Sequence, residues 1–208
     1  MSAMPSPLRR WVVSQFSRPH GWAGHLADWI MATRPSNLAR NRWTVSLLDP
    51  RPDARVLELG FGPGVALAAL AARVTRGRIV GIDHSPLMVR RAARRNAAAI
   101  AQGRMELLAG SAEHLPALGE PFDAVMAVNV AQFWTDPVAV LQRLRGQMRP
   151  GGRIALTVQP RNPRAGEADV QRLLTGLPAQ LGAAGFTAVR VERLALKPVD
   201  AVCALAQA

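Results

Sequence analysis

The sequence of 208 residues contains a single cysteine, a single lysine and no tyrosine. Because Cys203 is the only cysteine, no internal disulfide can form, which agrees with a reducing compartment. Cys203 lies in the apolar run AVCALA, and we interpret it as a packed core residue rather than a nucleophile. The sequence shows no apolar stretch of signal-peptide length at its N-terminus and no run of membrane-spanning length. We therefore expect a cytoplasmic protein.

The charge is strongly one-sided, with 26 basic against 14 acidic residues and a net charge of +12. Such a field attracts nucleic acid, an anionic membrane surface or an acidic substrate. The basic residues are scattered, however, and no basic run with interleaved aromatics stands out. We expect no specific nucleic-acid partner, while a peripheral membrane contact stays open and the oligomeric state is not predicted.

Residues 1–50 differ from the rest and are predicted to form an N-terminal helical cap or lid. A first helix carries Trp22 and Trp29 on one apolar face, at helical spacing. A second helix has Ser36 as its N-cap and one apolar stripe, formed by Ala39, Trp43 and Leu47. Because an α/β sheet such as the one predicted below for residues 51–208 binds ligands in an open crevice that needs a cover, the segment is also a candidate lid.

Residues 51–208 alternate between strand and helix patterns and are predicted to form one domain. Helices are expected after Ser85 and Asp136, which act as N-caps, and a break is expected near Pro178. We predict an α/β fold with a doubly wound, mostly parallel seven-stranded sheet. The final strands, separated only by a turn around Pro198, form a hairpin that makes one strand antiparallel. Strands are predicted at RVLEL, GRIVGID, RMELLAG, FDAVMAVN, GGRIALTVQ, TAVRVERLALK and AVCALAQA.

The stretch RVLELGFGPG places three glycines, Gly60, Gly62 and Gly64, just after the first strand. Glycine lets the main chain approach a ligand that side chains would block, and ligands bind at the carboxyl ends of parallel strands. A dinucleotide fingerprint would need glycine where Val65 stands, and no Walker lysine follows. Glu58 would repel phosphates, so it favours a ligand that carries positive charge.

Polar residues also follow the next three strands. Asp83 lies about twenty residues beyond the loop, where an acidic side chain accepts both ribose hydroxyls. Asn129 ends the fourth strand and is predicted to lie beside the glycine loop. The residues after the third strand could hold an adenine edge, and they are Ser111, Ala112 and Glu113.

These segments together resemble the motifs of the class I S-adenosylmethionine-dependent methyltransferases, from about Arg51 to the C-terminus. The matching segments are VLELGFGPG, GIDHS, GSAEHLP, FDAVMAVNV and MRPGGRIAL. The resemblance implies a methyltransferase that uses S-adenosylmethionine and releases S-adenosylhomocysteine. It implies that the glycines wrap the methionine part, and that Glu58 orients the loop and the amino group. Asp83 would hold the ribose, Ser111 and Ala112 the adenine, and Asn129 would approach the methionine end.

The other candidate cofactor residues are less specific. Met88 either packs on the adenine or is a core residue, and His84 contacts the cofactor or solvent. Phe61 stands where this family more often has a small residue, so it is a pocket wall or a hydrophobic plug between loop and cap. Further candidates beside the cofactor are Glu113 and Val130.

For the acceptor, the resemblance leads us to expect a small, apolar or aromatic molecule methylated by in-line displacement. Asn129 is not followed by the Pro-Pro-aromatic pattern of enzymes that methylate nucleobase amines, which disfavours that class. We assign no catalytic base to any histidine and predict no metal, and whether the acceptor atom is O, N, C or S stays open. The candidate acceptor-binding residues are Trp22, Trp29, Gln132, Phe133 and Trp134.

Two alternative functions remain open. Basic and aromatic residues near the N-terminus suit a membrane interface, so the enzyme could act there on a lipid headgroup or a quinone-like acceptor. The chain could also be a non-enzymatic cofactor-binding or RNA-binding module, in which the positive field recruits RNA.

Overall fold

The computed structural model describes residues 35–160 and 164–208, and these ranges contain a seven-stranded sheet in the order β3-β2-β1-β4-β5-β7-β6. The first five strands in that order pair in parallel, and β7 runs antiparallel to both β5 and β6. This confirms the predicted fold class, including the antiparallel hairpin. The strands are β1 (Arg55–Leu59), β2 (Arg78–Asp83), β3 (Met105–Ala109), β4 (Phe122–Val128), β5 (Met148–Val158), β6 (Thr187–Leu194) and β7 (Ala201–Gln207).

Helices connect the parallel strands and pack on both faces of the sheet. Ser85 accepts a hydrogen bond from the Met88 N–H at 3.4 Å, and Asp136 accepts one from the Ala139 N–H at 3.0 Å, so both predicted N-caps are confirmed. The helices are α1 (Pro35–Leu48), α2 (Val65–Arg73), α3 (Pro86–Arg95), α4 (Ala97–Ala101), α5 (Pro137–Arg145) and α6 (Glu167–Ala183), with 3-10 turns at Ala112–His114 and Ala131–Phe133.

Two details of the helices differ from prediction. The pattern SPLMVRRAARRNAAAIA predicts one continuous helix over residues 85–101, but Asn96 divides it into α3 and α4. The Asn96 side chain bonds back to the Ala92 carbonyl and out to the Gly64 carbonyl, which gives this turn a local alternative to regular helix. Conversely, α6 continues through Pro178 without the expected break.

The hydrophobic core lies in two layers, one on each face of the sheet. Leu57 and Leu59 of β1 face the layer beneath α5 and α6, while Val56 faces the layer beneath α1, α2 and α3. This alternation is the period of two that a strand imposes on its side chains. Cys203 is a free, fully buried thiol in the second layer, as predicted, and burial raises its pKa to about 12.

The helix α1 packs on α2 and over β4, β5 and β7, but not through the predicted stripe. Ala39 is exposed, Trp43 and Leu47 are half-buried at the edge of the core, and Ser36 lies inside the helix. The buried face instead combines apolar and polar residues, because β5 offers polar partners beneath it. These buried residues are Arg40, Asn41, Thr44, Val45 and Leu48.

Candidate functional site

The glycine loop between β1 and α2 leaves one stretch of main chain uncovered. Gly60 has a φ of +63°, and a Cβ there would lie 2.3 Å from Val130 Cγ2, so only glycine fits beside this side chain. Gly62 has a φ of +53°, and a Cβ there would meet no described atom within 4 Å. The first glycine therefore allows close packing, while the second leaves space next to the backbone. Val130, a predicted cofactor residue, contacts the loop itself.

Asp83, at the end of β2, holds this loop in place. Its Oδ2 accepts the Gly62 N–H at 2.8 Å, and its Oδ1 accepts the Ser85 N–H at 2.9 Å. The Gly60 N–H donates to the Ile82 carbonyl at 2.7 Å. An ionised carboxylate has about four acceptor positions, so each oxygen of Asp83 keeps capacity for a further donor.

Glu58, on β1, is a buried carboxyl with an unused oxygen. Its side chain is 2% exposed, and Oε2 has no hydrogen-bond partner in the described ranges. Burial, with a smaller contribution from the negative charge of Asp83, raises the pKa of Glu58 to about 8. A buried acceptor without a partner is costly, which makes this position a candidate contact for a ligand donor.

Asn129, at the end of β4, is the complementary case. Its φ of +56° lies in the left-handed region, which asparagine tolerates better than most residues. The Asn129 N–H donates to the Thr157 carbonyl at 2.7 Å, and Oδ1 accepts the Gln159 N–H at 2.8 Å. Nδ2 is buried and has no partner among residues 35–160 and 164–208. Asn129 thus leaves a donor free, while Glu58, on the neighbouring strand, leaves an acceptor free.

The loop after β3 is tied to the loop after β4. Ser111 accepts the Glu113 N–H at 3.2 Å and caps a 3-10 turn, in which Ala112 packs against the core. The Glu113 carboxylate accepts the Thr135 N–H at 2.7 Å, and this bond lowers the pKa of Glu113. Glu113, predicted to contact a cofactor, therefore has its carboxylate bound to the main chain of the next loop.

Three other predicted cofactor residues have different surroundings. Phe61 is 4% exposed and packs into the core over Gly81 of β2, so it fills the space beneath the loop rather than forming a pocket wall. Met88 is half-buried against the same core layer. The His84 side chain is 80% exposed, with Nδ1 3.7 Å from Asp83 Oδ1.

A cavity of about 340 Å³ opens at the ends of β4 and β5, against α6. Of the predicted acceptor residues, Gln132 lines it, whereas Trp134 is buried in the core and Phe133 is 76% exposed. Trp22 and Trp29 lie outside the described residues. The lining residues are Ala131, Gln132, Val158, Gln159, Pro160, Asp169, Arg172, Leu173, Gly176, Leu177 and Gln180.

Gln159, which sequence reasoning missed, joins this cavity to the rest of the site. Besides donating its N–H to Asn129, it accepts a hydrogen bond from Arg40 Nη1 at 2.5 Å and donates Nε2 to the Val199 carbonyl at 2.9 Å. Next to it, the hydroxyls of Thr44 and Thr157 share a hydrogen bond of 2.7 Å. The signal was present: Thr157 and Gln159 alternate along an otherwise apolar strand, opposite polar residues spaced by four on α1.

Neither a metal site nor a membrane span is found in the described part of the chain. No group of three His, Cys, Asp or Glu side chains there could hold a metal ion. No helix within it has the length and apolarity needed to cross a bilayer.

Comparisons with known proteins agree with this geometry. A sequence family described as a methyltransferase domain matches residues 56–152. The uncharacterized methyltransferase YdaC of Bacillus subtilis is 31% identical over 182 residues, which cover 88% of this chain and 97% of YdaC. A trans-aconitate 2-methyltransferase of Methylobacterium nodulans is 32% identical over 180 residues, which cover 80% of this chain but 64% of that enzyme.

Among solved structures, a SAM-dependent methyltransferase from Aquifex aeolicus superposes with a TM-score of 0.67. The match covers 83% of this chain and 93% of that one at 18% identity, so it supports the fold alone. The long match to YdaC and the seven-stranded fold with its glycine loop lead to the same conclusion. The chain is a methyltransferase and belongs to the class I S-adenosylmethionine-dependent family.

Proposed function

We propose that this methyltransferase binds S-adenosylmethionine over the glycine loop and methylates a small acceptor in the cavity at the ends of β4 and β5. The observation that carries the proposal is the pair of buried, unpartnered polar atoms on neighbouring strands. Glu58 Oε2 and Asn129 Nδ2 have no partner in the part of the chain that the structure describes, and the loop that follows Glu58 leaves open space beside the main chain of Gly62.

The residues present fit the methionine end of this cofactor. A zwitterionic amino acid carries an ammonium donor and a carboxylate acceptor. The Glu58 oxygen suits the ammonium group, and the Asn129 amide suits the carboxylate group. Asp83 has acceptor capacity left for ribose hydroxyls, and we assign the adenine contact to Ser111 and Ala112. We keep Met88 as a candidate contact to the adenine face.

The cofactor supplies an activated methyl group on a positively charged sulfur. The chain's own contribution is to hold the acceptor atom in line with that methyl and to keep water away. Val158 and Leu177 are buried residues of the cavity lining and make its walls apolar. No described residue has to act as a base unless the acceptor must lose a proton.

The cavity supports an acceptor that is mainly apolar and has one hydrogen-bonding group. Val158, Leu173 and Leu177 give its lining an apolar part, and Gln132 and Gln180 add side-chain amides. The two charged lining residues, Asp169 and Arg172, form an ion pair with each other. The Gln132 amide nitrogen donates to the Asn129 carbonyl at 3.1 Å, which fixes its orientation and leaves its oxygen free for an acceptor hydroxyl or amine. A volume of about 340 Å³ suits a molecule of one or two rings.

The membrane-surface alternative depends on residues 1–34, which lie outside the described ranges, and it stays a prediction. The same holds for the RNA-binding alternative. For both, the discriminating measurements are sedimentation with anionic liposomes and salt-dependent RNA binding.

The proposal is tested in two steps on the full chain. Calorimetry with S-adenosylhomocysteine should show binding, and Asp83→Ala should weaken it at least tenfold while Asp53→Ala, an exposed control, leaves it unchanged. Transfer of a labelled methyl group is then measured across phenols, amines and carboxylic acids of one or two rings. Tight cofactor binding without methyl transfer to any of these acceptors would refute the acceptor class. Absence of cofactor binding would refute the whole proposal.

A further inference from the structure

The glycine loop is held by the junction of α3 and α4 as well as by the end of β2. The Asn96 side chain, at the junction of α3 and α4, donates Nδ2 to the Gly64 carbonyl at 3.2 Å and to the Ala92 carbonyl at 2.9 Å. Its neighbour Arg95 donates Nε to the Pro63 carbonyl at 2.9 Å. Two consecutive residues thus hold two consecutive carbonyls of the loop.

The fit at this contact is tight. Asn96 is 5% exposed, and a Cβ on Gly64 would lie 2.6 Å from Asn96 Nδ2 and 2.8 Å from Ala92 Cβ. Gly64 itself has a φ of +76°, which other residues adopt only with strain. The close approach of α3 to the loop and the left-handed conformation of Gly64 therefore each require a glycine at this position.

Without these outer contacts the loop would be held by the Gly62 N–H bond to Asp83, by the Gly60 N–H bond to Ile82 and by the local main-chain bonds that Gly64 makes within the loop and the first turn of α2. Glycine has more accessible backbone states than any other residue, so a loop with three of them loses the most freedom on binding a ligand. If the loop is already fixed in the folded protein, its loss of backbone entropy occurs on folding and no longer weakens ligand binding.

We infer that Asn96 and Arg95 are positioning residues that hold the glycine loop in its cofactor-binding shape and thereby raise the affinity for S-adenosylmethionine. Neither residue touches the open side of Gly62, so neither is a ligand contact. The inference rests on the proposed cofactor site and names two residues that support it from the opposite side.

The test compares variants of the full chain by calorimetry with S-adenosylhomocysteine and by thermal unfolding without it. Asn96→Ala should raise the dissociation constant about tenfold and Arg95→Ala about threefold, since the first bond is buried and the second exposed. Arg95→Lys keeps a donor and should recover part of the loss. Arg94→Ala is the matched control, because Arg94 is exposed on the same helix and makes no hydrogen bond with the described residues.

A purely structural role gives a different pattern. It would lower the unfolding temperature and leave the dissociation constant of the folded protein unchanged, which would overturn the inference. In turnover, the KM for S-adenosylmethionine should rise with kcat unchanged at saturation. If Asn96→Ala does not fold, Arg95→Ala decides, since its side chain is exposed. Absence of binding by the unaltered protein would refute the proposed function and this inference with it, whereas normal binding with unchanged variants refutes the inference alone.

Discussion

Glu58 should make the stability of the cofactor-free protein depend on pH. In the folded protein its pKa rises from 4.5 to about 8, because the side chain is buried and, to a smaller degree, because Asp83 is negative. Between those values the folded protein keeps a proton on Glu58 that the unfolded chain has released. The free energy of unfolding therefore falls as pH rises, with a slope of about 1.4 kcal/mol per pH unit from this one group.

The expected size follows from the same two pKa values. Over the window from pH 4.5 to about 8 the loss amounts to about 5 kcal/mol, and above pH 8 the slope from this group disappears. Glu58→Gln keeps the shape of the side chain but cannot ionise, so it should remove the slope. At pH 8 we expect the variant to be more stable than the unaltered protein by several kcal/mol, and at pH 4.5 to be nearly equal.

The assay is urea unfolding at several pH values between 4.5 and 8.5, without cofactor. Glu120→Gln serves as the control, because Glu120 lies exposed on the surface. Its substitution should change the free energy of unfolding by the same small amount at every pH. The reasoning would be refuted if the free energies of unfolding of Glu58→Gln and of the unaltered protein differed by the same amount at every pH. The same variant should bind S-adenosylhomocysteine more weakly, since it lacks the charge proposed to face the ammonium group.

Other predictions concern the loop and the layer beneath α1. Gly60→Ala should abolish binding of S-adenosylhomocysteine in calorimetry, because the new Cβ would lie 2.3 Å from a Val130 methyl carbon; unchanged binding would contradict the packing. Thr157→Val should destabilise the protein by about 0.5–1.5 kcal/mol in urea unfolding, because the buried Thr44 hydroxyl loses one of its two partners and keeps the Arg40 carbonyl. The double change of Thr44 and Thr157 to valine should recover part of that loss, and simple additivity would refute the pairing. Cofactor binding at pH 7 should release a proton from Glu58, seen as heat that varies with the buffer's ionisation enthalpy.

The sheet and the glycine loop were predictable because their signals are local. Apolar runs of strand length bounded by glycine, proline and capping residues predicted all seven strands within a few residues. The first strand, Arg55–Leu59, was predicted with its observed bounds. The strand-end position of Asp83 and Asn129 followed from the parallel order alone, since the carboxyl ends of parallel strands share one edge.

What the sequence did not predict depends on partners far away in the chain. The buried polar face of α1 exists because Thr157 and Gln159 lie beneath Thr44 and Arg40, more than a hundred residues apart. Glu113 looked free to meet an adenine, yet it binds the Thr135 main chain.

The aromatic residues show the same limit. For Phe61 the sequence left a pocket wall and a hydrophobic plug open, and the side chain packs in the core because Gly81 leaves room for it over β2. Trp134 was predicted as an aromatic wall for the acceptor, yet it too is buried in the core. Residue type predicted that these side chains matter, but packing decides which surface they face.

The most direct measurement is a crystal structure of the full chain with S-adenosylhomocysteine. The account predicts the ligand's amino-acid end between Glu58 and Asn129, with main chain at Gly62 in contact and the ribose hydroxyls on Asp83. A ligand bound elsewhere, or one that leaves Glu58 Oε2 and Asn129 Nδ2 without partners, would contradict it.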